Sequence, residues 1–155
     1  MQGTQRRSDF RDVTDVISHF NKLPDLSKLK AEDYCVERGA AHVVAKQLTD
    51  IGQMRRLFSE VKAMQVRFRR SKEIEEGKAN IPTELITLLP ELAYARGRKL
   101  IDQDIYRLFT TIIGKDERTS KVNSKENLDQ LVDFLSAIIA YHKMMKLQKT
   151  ERREV

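Results

Sequence analysis

The longest amphipathic pattern of the chain lies between residues 49 and 72. Apolar residues recur there every three or four positions, which is the period of a helix that buries one face. The apolar face comprises Ile51, Met54, Leu57, Phe58, Val61, Met64 and Phe68. The pattern predicts one long helix that Thr49 caps at its start and that ends near Ser71.

The same period predicts further helices before and after this segment. Their expected ranges are 9–21, 28–47, 82–89, 90–98, 102–113 and 125–147. Ser8 and Ser124 are suitable N-caps for the first and last of them. Pro82 and Pro90 suit the first turns of two short helices, with a bend at Pro90. Gly39 is a tolerated weak point inside the second helix.

The chain has only three prolines and six glycines, and no strand-like alternation extends beyond a few residues. The sequence therefore predicts an all-α protein, a compact bundle of about five to six helices with one long basic helix. Its length of 155 residues suits a single domain over residues 1–155. The highly charged segment 71–80 is predicted to be a mobile loop, and residues 148–155 a flexible tail.

The segment after Pro90 ends in a predicted turn. Gly97 is expected to adopt a left-handed conformation as the C-cap of its helix. Ala93 and Gly97 are small enough to let another backbone approach closely, and Tyr94 is predicted to serve packing rather than base stacking. Three cations cluster at the end of this helix, namely Arg96, Arg98 and Lys99.

The polar side of the long helix is strongly basic. Residues 55–72 carry seven cations, and Glu60 is their only anion. The chain has a net charge of +6, and the residues outside this segment carry 22 cations and 22 anions. Arg55, Lys62 and Arg69 form a row with steps of two helical turns, about 10 Å. Such a row can follow a polyanion but cannot read a base sequence.

A run of like charge is most often a solvated helix face. This one differs from an ordinary exposed face because it lacks the interleaved Glu residues that support a helix at i, i+4 spacing. Three further arginines lie on its far flank, at Arg56, Arg67 and Arg70. The imbalance favours a polyanionic partner.

The sequence offers no set of catalytic or metal-binding residues. His19, His42 and His142 lie on three different predicted helices, and none has a second ligand at metal-binding spacing. Arg38 precedes His42 more closely than in the arginine–histidine pairs of small helical ribonucleases. The single Cys35 is predicted to be a small core residue. We therefore expect no metal, no cofactor and no enzymatic activity.

The apolar runs of the chain are short. None approaches the roughly 18 residues that a membrane span needs, and residues 1–7 lack the apolar stretch of a secretory signal. The sequence therefore predicts a soluble cytoplasmic protein without contact to a membrane.

Three segments together carry the pattern of a known family. They are Leu48-Thr49 followed by Gln53 to Lys62, then Leu89 to Arg98, then Ala137 to Lys143. In this order they closely resemble the small subunit of the Csm complex, the type III-A CRISPR-Cas effector. The resemblance covers about residues 28 to 145. Its most specific part pairs a Gln-x-Arg-(Arg/Lys) helix with a Leu-Ala-Tyr-x-x-Gly-Arg turn.

The resemblance implies a non-catalytic helical subunit of an antiviral defence complex. Several copies would stack as a filament beside the guide-binding backbone subunits, and nuclease and cyclase activities would reside in other subunits. The implied partners are target RNA, guide RNA, the other Csm subunits and further copies of this chain, with monomer or dimer open for the isolated protein. Candidate RNA-binding residues are Arg55, Arg56, Lys62, Arg69, Arg70, Arg96, Arg98 and Lys143.

Two alternative hypotheses remain at this stage. One is a helical adaptor or dimerisation protein whose basic helix docks an acidic protein partner, and the other is a small helical nuclease. RNA binding through phosphates should weaken steeply with salt for RNA of any sequence. A titration of RNA at several salt concentrations therefore distinguishes RNA binding from the adaptor hypothesis. A nuclease would have to release cleaved product.

Overall fold

The computed structural model describes residues 9–70 and 80–154, and over these residues all regular secondary structure is helical. The predicted all-α bundle is confirmed. Within these residues there are eight α-helices and one 3-10 turn, Leu26–Lys28. The helices are α1 Val13–Asn21, α2 Ala31–Tyr34, α3 Ala40–Gln47, α4 Gly52–Arg70, α5 Ile81–Ile86, α6 Leu89–Gly97, α7 Gln103–Ile113 and α8 Lys125–Glu154. In this part of the chain, no helix is long and apolar enough to span a membrane.

Helix α8 occupies the centre of the bundle and packs against both α3 and α4. Helix α1 packs against α7, which also contacts α6. The ring of Phe134 on α8 lies at the meeting point of these layers. Its centroid is 5.3 Å from that of Phe20, 6.1 Å from that of Tyr34 and 6.4 Å from that of Phe109. Aromatic rings at these separations pack favourably and join four elements into one core.

The amphipathic pattern of α4 is confirmed. Its predicted apolar face is buried at Met54, Leu57, Val61 and Phe68 and partly buried at Ile51, Phe58 and Met64. Gln65 lies on the same face, is buried, and donates a 2.6 Å hydrogen bond from Nε2 to Oδ1 of Asp129 on α8. The predicted cap at Thr49 is wrong. The backbone N–H of Gly52 donates to Oδ1 of Asp50 at 2.8 Å, so Asp50 caps the first turn.

The predicted second helix over 28–47 is wrong, because the chain is interrupted between α2 and α3. Arg38 has a φ of 68°, which reverses the chain direction. Gly39 then begins α3, and a Cβ there would lie 2.8 Å from the carbonyl oxygen of Val36 and 3.1 Å from that of Asp33. Gly39 is therefore required by a close backbone approach and is not a weak point inside a helix.

The break also exposes Cys35, so its predicted place in the core is wrong. Its backbone carbonyl oxygen accepts a 2.6 Å hydrogen bond from the hydroxyl of Tyr141 on α8. This bond satisfies a carbonyl at the end of α2 that has no continuing helix to pair with.

The two ends of the bundle also differ from the expected boundaries. Helix α1 begins at Val13 rather than after Ser8, and Asp12 caps it by accepting a 3.0 Å hydrogen bond from the N–H of Asp15. Helix α8 does not end near Leu147 but continues to Glu154. Flexibility of residues 148–155 stays a prediction. Of the predicted mobile loop 71–80, residues 71–79 lie outside the described residues, and Asn80 caps α5.

The remaining helix starts follow the sequence signals. Asp102 caps α7, and the Oγ of Ser124 accepts from the N–H of Asn127 in the first turn of α8. Pro82 and Pro90 lie in the first turns of α5 and α6, as expected. The bend between these short helices is the turn at residues 87 and 88.

The turn after α6 is built differently from the prediction. Lys99 has a φ of 61°, whereas Gly97 has no left-handed conformation, so its predicted C-cap role is wrong. No atom lies within 4 Å of the position of a Cβ at Gly97. Ala93 is also exposed, so no backbone packs against this face within the described residues. Tyr94 is 66 % exposed, and its predicted packing role is wrong as well.

Candidate nucleic-acid interface

The basic face of α4 consists of six side chains that are all exposed, namely Arg55, Arg56, Lys62, Arg67, Arg69 and Arg70. They are exposed because the opposite side of α4 is anchored on α8 by buried apolar residues and by the Gln65–Asp129 hydrogen bond. The sequence period alone sets this division of the helix into two faces.

Two of these cations have acidic partners inside the molecule. Nη2 of Arg67 lies 3.0 Å from Oε2 of Glu84 on α5, and its guanidinium carbon lies 4.7 Å from the ring centroid of Phe68. Nη2 of Arg69 lies 3.6 Å from Oδ1 of Asp129. Exposed ion pairs of this kind stabilise a fold by about 1 kcal/mol or less. They do, however, reduce the charge that Arg67 and Arg69 can offer to a ligand.

The other cations of the face are less compensated. Among the residues that the structure describes, no carboxylate forms a salt bridge with Arg55, Lys62 or Arg70. Arg55 and Lys62 are seven residues apart and therefore lie on one line along the helix, about 10 Å from each other. These two side chains are the best-placed candidates for contact with a polyanion.

Glu60, the single anion of this segment, is largely withdrawn from the basic face. Its Oε2 is buried and has no hydrogen-bond partner among the described residues. Burial, followed by the contact with the carboxyl of Glu91 on α6, raises the pKa of Glu60 to about 7. The positive charge of Arg56 opposes this shift only in part. Near neutral pH, Glu60 is therefore partly protonated and cancels little of the cationic charge.

We expect this carboxyl to make stability depend on pH. The pKa of Glu60 is raised above its ordinary value of 4.5, so the folded state binds the proton more tightly than the unfolded state. The contribution of Glu60 to stability therefore falls as the pH rises from about 4.5 to about 7. Glu60→Gln should remove this loss and raise the free energy of unfolding at pH 8 by about 1 to 2 kcal/mol. This value is smaller than the full rise in the pKa of Glu60 implies, because solvent screens the partly exposed carboxyls of Glu60 and Glu91.

Urea unfolding at pH 5 and pH 8 measures the effect. Glu151→Gln is the matched control, because Glu151 is exposed near the end of α8. The control should keep the pH dependence of the wild type. Equal pH dependence in Glu60→Gln and the wild type would show that the Glu60 carboxyl ionises normally.

Helices α5 and α6 follow α4 in the opposite direction. Arg67 of α4 pairs with Glu84 of α5, and Glu60 of α4 meets Glu91 of α6. Seven residues backwards along α4 therefore correspond to seven residues forwards from α5 to α6. At the far end of α6, Nε2 of Gln47, just before α4, donates a 2.7 Å hydrogen bond to Oδ2 of Asp102, four residues after Arg98. The exposed end of α6 therefore lies at the same end of the bundle as Arg55.

The register of α8 can be derived in the same way. Gln65, near the end of α4, meets Asp129, which is in the second turn of α8. The earlier turns of α4 can therefore pack only against later turns of α8. This places the exposed Lys143 level with the start of α4. Arg98 and Lys143 thus gather at the Arg55 end, whereas Arg69 and Arg70 lie at the other.

Among the predicted site residues, Arg96 already has a hydrogen-bond partner inside the molecule. It is half-buried, and its Nε donates a 3.1 Å hydrogen bond to Oε1 of Gln103 on α7. Arg98 is exposed, and its guanidinium carbon lies 5.7 Å from the ring centroid of Tyr94. Tyr94 was not among the predicted site residues, although three cations follow it closely in the sequence.

The three histidines are all half-buried. Nε2 of His19 lies 3.5 Å from Oδ2 of Asp33. Nδ1 of His42 accepts a 2.8 Å hydrogen bond from the backbone N–H of Arg38, and burial lowers the pKa of His42. His142 lies on α8. Over residues 9–70 and 80–154, no three His, Cys, Asp or Glu side chains gather as a metal site.

These features define a class of protein, an all-helical bundle that presents the cationic face of one long helix. The sequence matches the family model described as Csm2 Type III-A over residues 28–148. The chain belongs to this family and is a small subunit of the type III-A CRISPR Csm effector complex, as the resemblance implied. Other subunits of that complex are its partners. Neither the curated protein sequences nor the solved structures gave a match.

Proposed function

We propose that this subunit is a non-catalytic, cytoplasmic RNA-binding protein that stacks in several copies along the groove in which guide and target RNA pair. The proposal is carried by Arg55 and Lys62, which are exposed and have no acidic partner in the described part of the chain. These side chains offer charge along a line, which suits contact with the RNA backbone. The subunit does not need to read bases, because pairing between guide and target reads the sequence.

The cations of the face are not equivalent in this function. Arg55 and Lys62 are free of acidic partners among the described residues, whereas Arg69 must share its guanidinium with Asp129. Arg98 and Lys143 can extend the surface at the Arg55 end. We therefore rank Arg55 and Lys62 above Arg69 and Arg70, and place Arg96 last because Gln103 holds it.

The salt dependence of RNA binding tests this proposal. The isolated protein should bind single-stranded RNA of unrelated sequences with similar, weak affinity. Arg55→Ala or Lys62→Ala should reduce the slope of log K against log salt by about 0.7 to 0.9 each. Arg69→Ala should reduce it less, because Asp129 already compensates part of the charge of Arg69.

Lys28→Ala is the control for this titration. Lys28 is exposed on the 3-10 turn, beside Asp25, and should leave the slope unchanged. Unchanged slopes in both Arg55→Ala and Lys62→Ala would refute the RNA contact. Absence of RNA binding together with tight binding of an acidic protein subunit would instead support the adaptor hypothesis.

The absence of catalysis is tested separately. We expect labelled RNA to remain intact after incubation with the purified protein and Mg²⁺ or Mn²⁺. The physical reason is that two of the histidines already serve local contacts: His19 lies beside Asp33, and His42 uses Nδ1 to accept from the backbone of Arg38. Metal-dependent cleavage that survives repurification and is lost in His142→Ala would contradict the proposal.

A further inference from the structure

The side chain of Tyr94 is unusual among the four tyrosines of the chain. Tyr34 is buried against Phe134, Tyr106 packs against the core, and the hydroxyl of Tyr141 donates to the carbonyl oxygen of Cys35. Tyr94 has no such role and is 66 % exposed. A single exposed aromatic residue is common on protein surfaces, so the neighbours of Tyr94 decide whether its ring belongs to a binding site.

The surroundings of this ring are cationic rather than apolar. The guanidinium of Arg98 lies over the ring, and Lys99 is exposed in the following turn. Arg55 lies at the same end of the bundle, because the Gln47–Asp102 hydrogen bond joins the segment before α4 to the segment after α6. The other exposed residues of α6 are Pro90, Ala93, Gly97 and Glu91, whose carboxyl meets that of Glu60, and only Pro90 among them offers appreciable apolar area. An apolar protein surface would find few contacts here, whereas a nucleotide combines a flat ring with negative charge.

Space for a flat ligand exists beside the ring. Gly97 lies three residues after Tyr94 and therefore one turn further along the same face of α6. No atom lies within 4 Å of the position where a Cβ of Gly97 would stand. A side chain larger than hydrogen would occupy the open volume next to the tyrosine.

We propose that Tyr94 and Arg98 form a stacking site for one unpaired nucleobase of the RNA that lies on the basic face of α4. The base stacks on the exposed ring, and the guanidinium of Arg98 contacts the ring or the adjacent phosphate. This inference rests on the proposed function, because α4 must hold the RNA backbone nearby. It adds a contact to a base, which stacking makes without preference for its identity.

The test compares RNA containing bases with RNA of the same length in which abasic nucleotides replace several of them. Both carry the same phosphates, so only the second lacks stacking partners. The full-length wild type should bind the intact RNA about five- to tenfold more tightly. Tyr94→Ala should bind both RNAs equally and keep the salt slope of the wild type. Tyr94→Phe should behave as the wild type.

A fluorescent base analogue gives an independent readout. 2-Aminopurine RNA should lose fluorescence on binding to the wild type and to Tyr94→Phe, but not to Tyr94→Ala. If the wild type and Tyr94→Ala prefer intact RNA over abasic RNA by the same factor, the stacking site is overturned and backbone binding is unaffected. Salt-independent or absent RNA binding by the wild type would overturn the proposed function itself. Normal RNA binding by Tyr94→Ala, with loss of the subunit from the assembled complex, would assign Tyr94 to a protein contact instead.

Discussion

Gly114→Ala is expected to lower the free energy of unfolding by about 3 to 5 kcal/mol. Gly114 follows α7 with φ 76° and ψ −174°, a combination that essentially only glycine adopts. A Cβ at this position would lie 2.5 Å from the backbone nitrogen of Ser120 and 2.6 Å from the carbonyl carbon of Thr119. Both atoms belong to the backbone, so the clash cannot be relieved by rotating a side chain.

The loop after Gly114 cannot move away at little cost. The N–H of Lys121 donates to the carbonyl oxygen of Ile112, and the carbonyl oxygen of Lys121 accepts from the N–H of Leu26. A shift large enough to admit a methyl group would break these bonds and disturb the connection between α7, the 3-10 turn and α8. We therefore expect the alanine variant to unfold at much lower urea concentration, with helicity lost in one transition.

Gly97→Ala is the matched control, because it is the same substitution at a site with open space and no left-handed φ. We expect a change within about 0.5 kcal/mol, of either sign, because Gly97 is the last residue of α6. Equal stability of the two variants would show that the turn at Gly114 relaxes. A strong loss in Gly97→Ala would show that another group fills the space beside Tyr94.

The contrast between these glycines shows where sequence reasoning ends. A glycine near a helix end suggests a left-handed C-cap, and Gly97 was predicted to be one on that ground. The structure instead places Lys99 and Arg38 in the left-handed region. Long side chains disfavour that conformation intrinsically, so only the surrounding tertiary contacts can impose it. For this reason the break before α3 and the turn after α6 were both missed.

The elements with strong local signals were predicted well. Helix α4 has seven apolar positions on one arc, α7 has an Asp cap, and α8 begins at its Ser cap. The end of α8 was missed because residues 148–154 carry no apolar stripe. These residues are helical but exposed, so no buried face imposes an apolar period on their sequence.

The positive charge of the candidate site was predictable from the sequence. Which of its cations have acidic partners was not. Composition alone located the cations of α4. Their compensation depends on residues far away in sequence, such as Asp129 for Arg69 and Glu84 for Arg67. The withdrawal of Glu60 depends on Glu91 in the same way. The exposure of Tyr94 likewise follows from how α6 lies on α7, which no local pattern encodes.

Reversing two charges on α4 should have the largest functional effect. In the assembled complex, Arg55→Glu together with Lys62→Glu should weaken retention of target RNA by about a hundredfold. Each reversal removes an attraction and adds a repulsion, and each exposed contact is worth roughly 0.7 kcal/mol. Both side chains are exposed and lack acidic partners among the described residues, so the fold should tolerate the change.

The control must carry the same change in net charge away from α4. Lys22 and Lys28 are exposed, and Lys28 neighbours Asp25, which Asn127 of α8 contacts at 3.2 Å. Positions 127 and 129 point to opposite sides of α8, and Asp129 faces α4, so these lysines lie across the bundle. Lys22→Glu together with Lys28→Glu should therefore retain RNA.

Filter binding of labelled target RNA and the subunit composition of the purified complex are measured together. If the α4 variant remains in the complex and releases RNA while the control holds it, the basic face contacts RNA directly. If the α4 variant is itself lost from the complex, the face contacts another subunit, as the adaptor hypothesis requires. Equal weakening by both double variants would mean that net charge, rather than the position of Arg55 and Lys62, governs retention.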